Sequence, residues 1–436
     1  MNLAPLKVGL IGLGTVGQGV VRVLQNNGEE IARRAGRPIQ IVAAATRDPK
    51  KARDCDLSGV RLSGDPQFVA RAGVDVVCEL IGGLDPAEAL ISEALSRGLH
   101  VVTANKALLA ERGPALFQRA TAAGSILAFE AAVAGGIPII KVMREGLAAN
   151  RIGALAGIIN GTSNYILTQM SEQGSGFAEA LAEAQRLGYA EADPTFDIEG
   201  IDAAHKLTLL ASIAFGSAIA WGSVHTEGIS TVQAQDIQLA GELGYRIKSL
   251  AIAKRLAGGV TLSVRPTLIP AERLLAKVDG VLNAIRVDGD AVGETIYVGR
   301  GAGAEATASA VIADLVDIAR LQGSAARHWV PPLGSVGGGE APQLLPLAAT
   351  ESAYYLRLRV ADEPGVLRAL TSIFAEADIS IEAILQKEPR HGEDATVAII
   401  TSVIAEGRFH AALQRIQSLP FLRPGLIRLA VEHFNG

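Results

Sequence analysis

The chain has 436 residues, 49% hydrophobic but only 4% aromatic, with 48 glycines. That is too long for one ordinary core, and two or three aliphatic α/β domains are expected. Lys and Arg number 40 against 45 Asp and Glu, a net charge of -5 with no charge-dense tail, which argues against nucleic acid, whose binding rests on phosphate neutralisation. Cys55 and Cys78 are the only cysteines and no basic-then-apolar leader is present, so a cytoplasmic protein without structural disulfides is expected.

Lys7–Ile11 reads as a short apolar strand that runs into Gly12-Leu13-Gly14-Thr15-Val16-Gly17 and an amphipathic helix through Val20, Val21 and Leu24. G-x-G-x-x-G placed between a strand and a helix is a dinucleotide signal. Gly12 permits the tight turn, Gly14 lets backbone approach a pyrophosphate, and Gly17 allows close helix packing, with the helix N-terminus facing the anion. The next strand, Ile39–Ala45, should end at the ribose-reading residue. The chain offers Thr46-Arg47-Asp48 there: Arg47 suits the 2′-phosphate of NADP, and Asp48 leaves NAD open. Strands at Val74–Ile81, ending in Gly82-Gly83, and at Leu99–Thr103, ending in Ala104-Asn105-Lys106, complete the pattern. Lys106 thus stands where ligands of open α/β sheets sit, a solvated helix-opening lysine being the alternative, and Ile81, Gly82 and Thr103 at the strand ends are taken with it as cofactor candidates. After a strand at Ile126–Phe129, the loop Glu130–Pro138 exposes carbonyls that, with Glu130, suit a hard cation; a plain tight connection is the alternative.

From about Arg151 the pattern changes to a strand at Leu155–Asn160, a turn at Gly161–Asn164, and helices near Tyr165 and over Phe177–Leu187. These lead into Glu191–Lys206, where carboxylates crowd ahead of an apolar helix. Asp202 and Lys206 are one helical turn apart on a face continued by Leu209, Leu210 and Ile213, which points them inward; an ordinary surface ion pair is the alternative. A charged pair aimed inward is costly unless it is used or fully paired. Leu207–Val224 approaches membrane-span length, but Gly216, Gly222 and serines interrupt it, and a core helix is expected. Strands follow near Ile229, Val260–Val264, Ala291–Val298 and Ala304–Thr307. Gly299–Gly303, with Gly301 and Gly303, is a second place for backbone to approach a nucleotide. A helix over Thr307–Gln322 returns to the first domain, and Pro331–Thr350 reads as a linker. Residues 351–436 then show a ferredoxin-like β-α-β-β-α-β order. Its strands are Tyr354–Val360, Ile379–Lys387, Ala395–Val403 and Gly425–His433, and its helices Val366–Glu376 and Gly407–Gln417. The loop Asp362–Leu367, through Asp362, Gly365 and Val366, presents N–H groups that suit an amino-acid carboxylate.

Together the motifs Gly12–Gly17, Val102–Lys106, Glu130–Pro138, Asn160–Tyr165, Gly188–Pro194 and Asp197–Lys206 resemble homoserine dehydrogenase of the type with a C-terminal ACT regulatory domain, over nearly the full length. The Gly188–Pro194 and Asp197–Lys206 runs are the specific ones. One departure stands out: Ala306 occupies a position where the family usually has proline. The resemblance implies an N-terminal Rossmann-type domain over 1–150, completed near 307–322, an α+β catalytic and dimerisation domain over 151–306, and a linker over 331–350 before the ACT domain. It implies NAD(P)-linked interconversion of L-aspartate 4-semialdehyde and L-homoserine, on the route to threonine, methionine and isoleucine, in a homodimer or homotetramer. By motif, Lys206 becomes the proton donor, Lys106 the positive neighbour that lowers its pKa, and Asp202 its orienting partner. Glu191 and Asp197 become the clamp for the substrate ammonium, with Thr162 and Tyr189 as further contacts. The Glu130 loop becomes a monovalent-cation site, sodium above all, with Val133, Gly135 and Ile137, and threonine becomes the expected effector of the ACT domain. Another Rossmann oxidoreductase lacks a reason for the Glu191/Asp197/Asp202/Lys206 set, and a non-enzymatic sensor has no need of Lys106 and Lys206.

Overall fold

Aliphatic runs punctuated by glycine alternate with amphipathic helices at the start of the chain, and in the computed structural model they form one parallel sheet. The elements are β1 (Leu6–Ile11), α1 (Thr15–Asn26), α2 (Gly28–Ala35), β2 (Ile39–Ala45), β3 (Arg61–Ser63), α3 (Gln67–Ala70), β4 (Val76–Glu79), α4 (Ala87–Ser96), β5 (His100–Thr103), α5 (Lys106–Ala122) and β6 (Leu127–Ala128). The strand order is β3-β2-β1-β4-β5-β6 with every pairing parallel, the order of doubly wound dinucleotide-binding domains. Strands covered on both faces need continuous apolar runs; Val76, Val77, Cys78, Val101 and Val102 meet that need with no exposure.

The chain continues through α6 (Ile139–Lys141), β7 (Ile152–Ile158), α7 (Gly161–Gln173), α8 (Phe177–Arg186), α9 (Thr195–Ile198), α10 (Ile201–Phe215), β8 (His225–Thr226), α11 (Ala234–Glu242), β9 (Tyr245–Leu256), β10 (Gly259–Pro270), β11 (Leu282–Gly289), β12 (Gly293–Arg300) and α12 (Ala304–Leu321). It ends with β13 (Glu351–Val360), α13 (Val366–Glu376), β14 (Ile381–Lys387), β15 (Ala395–Thr401), β16 (Ile404–Ala405), α14 (Glu406–Gln417) and β17 (Ile427–Val431). Residues 3–322, 330–335, 342–387 and 394–434 are described. Two units separate: one holds Met1–Gly153, His205–Gly222 and Val287–Pro342, the other Ala154–Ala204, Ser223–Arg286 and Gln343–Gly436.

Within the first unit α12 packs on the parallel sheet, with Ala308, Val311, Ile312 and Leu315 in the same core as Val8, Leu10 and Val20. Ala304–Thr307, expected as a strand, is the first turn of this helix. Its residues repeat the small and aliphatic spacing of the helix behind them, and a short run carries no period of its own. Ala306 therefore sits in a helical first turn, where proline and alanine are both tolerated, so the missing proline leaves the element intact.

In the second unit, strands run β11-β7-β9-β10-β17-β13-β15-β14. The last four form the ferredoxin-like module, and β17 pairs in parallel with β10 at Thr267–Ala430 and Leu268–Val431. One face of the sheet shares a core drawn from both portions: Tyr165, Met170, Leu239 and Leu268 pack with Tyr355, Ile400 and Val431. The opposite face of the module closes on α13 and α14 through Leu370, Phe374, Phe409 and Leu413. The expected linker is partly built in, since Val260 N donates to Gln343 O (2.8 Å) and Leu345 N to Val260 O (2.9 Å); residues 336–341 of it lie outside the described residues. No described helix is long and apolar enough to cross a membrane, and the apolar stretch after Lys206 forms the buried body of α10.

Candidate active site

The glycine loop has the tight turn and the close helix packing expected of it. Gly12 has φ of 108°, and a side chain there would lie 2.9 Å from the Leu80 carbonyl. At Gly17 a Cβ would meet the Gly12 carbonyl at 2.2 Å, whereas Gly14 faces open space. Leu13 is buried beneath the loop, Val16 packs against the same core, and Thr15 opens α1. Gly14 caps α1 without any side-chain hydrogen bond, and the first turn has no acidic residue, which leaves the N–H groups available to an anion. Gly19, not singled out from sequence, has a structural duty: a Cβ would lie 2.5 Å from the Ala304 carbonyl.

At the end of β2, Arg47 is exposed. Beside it Arg53 Nη2 donates to Thr46 Oγ1 (2.8 Å) and Asp48 O (2.7 Å). Sequence reading missed Arg53, because it lies in an irregular loop with no periodic position.

Ile81, Gly82 and Thr103 converge on one buried side chain, also missed: Glu79, the last residue of β4. Its Oε1 accepts Ile81 N (2.9 Å) and Gly82 N (3.1 Å), and its Oε2 accepts the Thr103 hydroxyl (2.6 Å). Lys106 opens α5 half-buried, one residue after Asn105, whose Oδ1 caps the helix by accepting Leu108 N at 3.1 Å.

Within the second unit, Gly161–Asn164 is not a separate turn but the first turn of α7, capped by Asn160 Oδ1, which accepts Ser163 N at 2.8 Å. The Asn160 amide nitrogen points the other way and donates to Asp197 Oδ1 (2.7 Å) and Asp202 Oδ2 (2.8 Å). One asparagine thus caps a helix and binds two carboxylates together. The sequence signal for it was its N-cap position alone. Asp202 is 4% exposed, and Lys206 lies half-buried one turn further along α10. Thr162 spends its hydroxyl on the Tyr189 carbonyl at 2.7 Å, and the Tyr189 ring packs on Tyr165 at 4.9 Å. The Glu191 side chain is exposed. Asp193 accepts Thr195 N, Glu199 accepts the Ser230 hydroxyl, and the His205 ring meets Trp221 edge-on, so these three have structural partners. Asn160→Ala is expected to cost about 1–2 kcal/mol of stability through the lost cap. By leaving two unbridged carboxylates, it should also lower kcat/KM by about one to two orders of magnitude. Melting curves and steady-state rates on the same preparation separate the two effects.

In the Glu130 loop the expected ligand residue Glu130 meets the protein's own backbone. The Glu130 carboxylate is buried and spent on the start of α6, accepting Ile140 N (2.9 Å) and Lys141 N (2.9 Å). Burial first, then the neighbouring charge of Asp314, pushes it up to about 8, while burial raises Asp314 to about 6. The Glu130 side chain thus anchors the start of the next helix through both oxygens. The buried carbonyls of Val133 and Gly135 accept no hydrogen bond among the described residues, and Ile137 O accepts Ile139 N at 2.7 Å. Gly301 lies against this loop, and Gly303 opens the next helix. Gly136 N donates to Arg300 O (2.9 Å), a Cβ on Gly135 would meet Gly301 O at 2.6 Å, and Gly303, with φ of 124°, caps α12.

In the ferredoxin-like module, Gly365 caps α13 with φ of 98° and no side-chain cap; Asp362 is exposed and Val366 buried.

Residues 12–130 match the family model for the NAD-binding domain of homoserine dehydrogenase, 138–316 that for homoserine dehydrogenase, and 354–421 that for the ACT domain. The homoserine dehydrogenase of Pseudomonas aeruginosa is 50% identical over 436 residues, covering 99% of this chain and 100% of its own. The chain belongs to the homoserine dehydrogenase family. It is an NAD(P)-dependent oxidoreductase carrying a C-terminal ACT regulatory domain. The homoserine dehydrogenase of Neisseria gonorrhoeae is 49% identical over 434 residues, covering 99% of this chain and 100% of its own. A crystal structure of a homoserine dehydrogenase from Thiobacillus denitrificans matches with a TM-score of 0.94 and 51% identity, covering 100% of both chains. A hyperthermophilic archaeal homoserine dehydrogenase solved in complex with NADPH matches at 0.62 with 26% identity, over 73% of this chain and 98% of its own.

Proposed function

We propose that this enzyme interconverts L-aspartate 4-semialdehyde and L-homoserine in the cytoplasm, on the route to threonine, methionine and isoleucine. The observation that carries the reading is the Asn160 bridge between Asp197 and Asp202, with Lys206 one turn along α10. Bridged carboxylates suit a substrate that carries an ammonium group, and a lysine on the same helix suits an oxygen that gains charge.

The bound nicotinamide cofactor supplies or accepts the hydride. The open face of Gly14 and the uncapped start of α1 fit its pyrophosphate, and Arg47 with Arg53 fits a 2′-phosphate, favouring NADP over NAD. As the aldehyde is reduced, its oxygen accumulates negative charge, and Lys206 donates the proton that quenches it. Asp202 orients Lys206, and Lys106 adds positive charge near the reacting oxygen. Asp197 and Glu191 receive the substrate ammonium, while Thr162 and Tyr189, already bonded to one another, act as pocket wall.

The loop from Glu130 to Ile137 fits a monovalent cation, proposed as sodium, because buried carbonyls at Val133 and Gly135 have no N–H partner among the described residues. Glu130 would complete the ligand set with Ile137. The ACT loop at Asp362, Gly365 and Val366 is proposed to take threonine as feedback effector, in a homodimer or homotetramer.

A rate matrix tests these readings, with NADPH and NADH each offered aspartate semialdehyde, with and without threonine. NADPH oxidation should dominate and fall when threonine is added; no turnover with either cofactor sinks the substrate. The double variant Arg47→Ala/Arg53→Ala should raise the KM for NADPH about tenfold through lost charge-assisted bonds. The KM for NADH should move little, and equal effects on both cofactors would overturn the 2′-phosphate assignment.

A further inference from the structure

Glu79 is fully buried, and three donors meet on its carboxylate: Ile81 N and Gly82 N on Oε1, and the Thr103 hydroxyl on Oε2. The chain of bonds does not stop there. Thr103 Oγ1 accepts Asn105 N at 3.0 Å, Asn105 Nδ2 donates to Gly83 O at 2.7 Å, and Asn105 Oδ1 caps the helix that Lys106 begins. Glu79 ends β4 and Thr103 ends β5, two neighbouring parallel strands. A carboxylate, a hydroxyl and an amide thereby lock the loop after β4 to the loop after β5.

Gly82 and Gly83 both hold positive φ, 70° and 74°, so the first of these loops has little regular structure of its own to keep its shape. Both loops lie at the carboxyl ends of strands in a doubly wound sheet, next to the β1 glycine turn, where a dinucleotide is bound. A buried carboxylate is costly unless fully bonded. Here its bonds go to backbone and a hydroxyl at the carboxyl ends of β4 and β5.

We infer that Glu79 is a positioning residue for the nicotinamide cofactor: it holds the Ile81–Gly83 backbone and the start of α5, with Lys106, in the shape the cofactor requires. It acts through these groups and touches neither cofactor nor substrate. The inference rests on the NAD(P) dependence of the enzyme and is independent of which aldehyde it reduces.

The test is calorimetric binding of NADPH to the full-length enzyme and its variants, with no second substrate present, beside steady-state kinetics. Glu79→Gln keeps the shape, and its carbonyl can still accept both N–H groups while its amide faces Thr103. The Kd for NADPH should weaken by about tenfold, with an unchanged melting temperature. Glu79→Ala loses every bond and should weaken binding about a hundredfold, so that glutamine partly rescues alanine. In the kinetics, the KM for NADPH should rise in both variants while the KM for the aldehyde stays put. A Glu79→Gln enzyme that binds NADPH as tightly as the parent would overturn the inference. So would parallel rises in both KM values, the mark of general loosening. If Glu79→Ala does not fold, Glu79→Gln carries the test alone. Loss of turnover with an undisturbed NADPH Kd counts against the inference and leaves the substrate assignment untouched.

Discussion

Lys206→Ala is expected to lower kcat by about two to four orders of magnitude, the range over which a positioned proton donor accelerates a reaction. Under the proposed mechanism, the oxygen of the reduced aldehyde would then take its proton from water, which is neither fixed nor preorganised. Arginine should not rescue it, because a guanidinium does not release its proton in proteins. Lys206 is half-buried and stands on a helix whose body is held by Leu207, Leu209 and Leu210. The fold should therefore survive, and the Kd for NADPH should change little. Undiminished turnover in a folded Lys206→Ala enzyme would remove Lys206 from the mechanism.

The second large effect concerns stability. Arg357→Leu is expected to destabilise the second unit by about 3–5 kcal/mol, the cost of breaking a buried ion pair from one side. Arg357 on β13 and Asp236 on α11 are 2% and 0% exposed, and Arg357 Nε donates to Asp236 Oδ1 at 2.6 Å. Arg357 Nη2 also donates to Gln233 Oε1 (2.8 Å), and the Tyr355 hydroxyl donates to Asp236 Oδ1 (3.2 Å). Burial, reinforced by the Asp236 charge, pushes the Tyr355 phenol far up and keeps it a donor. Asp236 Oδ2 further accepts Gln233 N at 3.0 Å, closing a capping box on α11. Leucine at 357 would leave Asp236 charged in an apolar wall, whereas Arg357→Leu with Asp236→Leu removes both charges. The double variant should be more stable than the single one, and a denaturant double-mutant cycle measures the difference. A single variant as stable as the parent would show that the pair does not hold the module. Deleting residues beyond Pro346 would be a poor probe of the proposed threonine response. It removes β17 from β10 and strips Tyr355, Ile400 and Val431 from a shared core, so any loss of response would report exposed apolar surface.

Local rules were enough to place much of this protein. A glycine motif between a strand and a helix reports backbone geometry directly: Gly12 needs its positive φ and Gly17 its closeness to the Gly12 carbonyl whatever the rest of the chain does. Asp202 and Lys206 could be set on one inward face because helical spacing is a local property, and the β-α-β-β-α-β order could be read because each element carries its own period. The first turn of α7 and the start of α12 escaped because short runs of small residues have no distinctive period.

Tertiary structure decided the rest, for a common reason. Asn160 meets Asp197 and Asp202 across 37 and 42 residues, and Thr103 meets Glu79 across 24. No periodicity spans such distances, and these pairs form only when separate elements pack. The same holds for β17 beside β10, since strand partners are chosen by the shared core and not by either strand's own sequence. Glu130 shows the limit most plainly: its sequence neighbourhood gave no sign that its carboxylate accepts the Ile140 and Lys141 N–H groups, which only packing brings to it. The chain's local spacing determined which residues could do chemistry, and only the fold determined which atoms they had left to do it with.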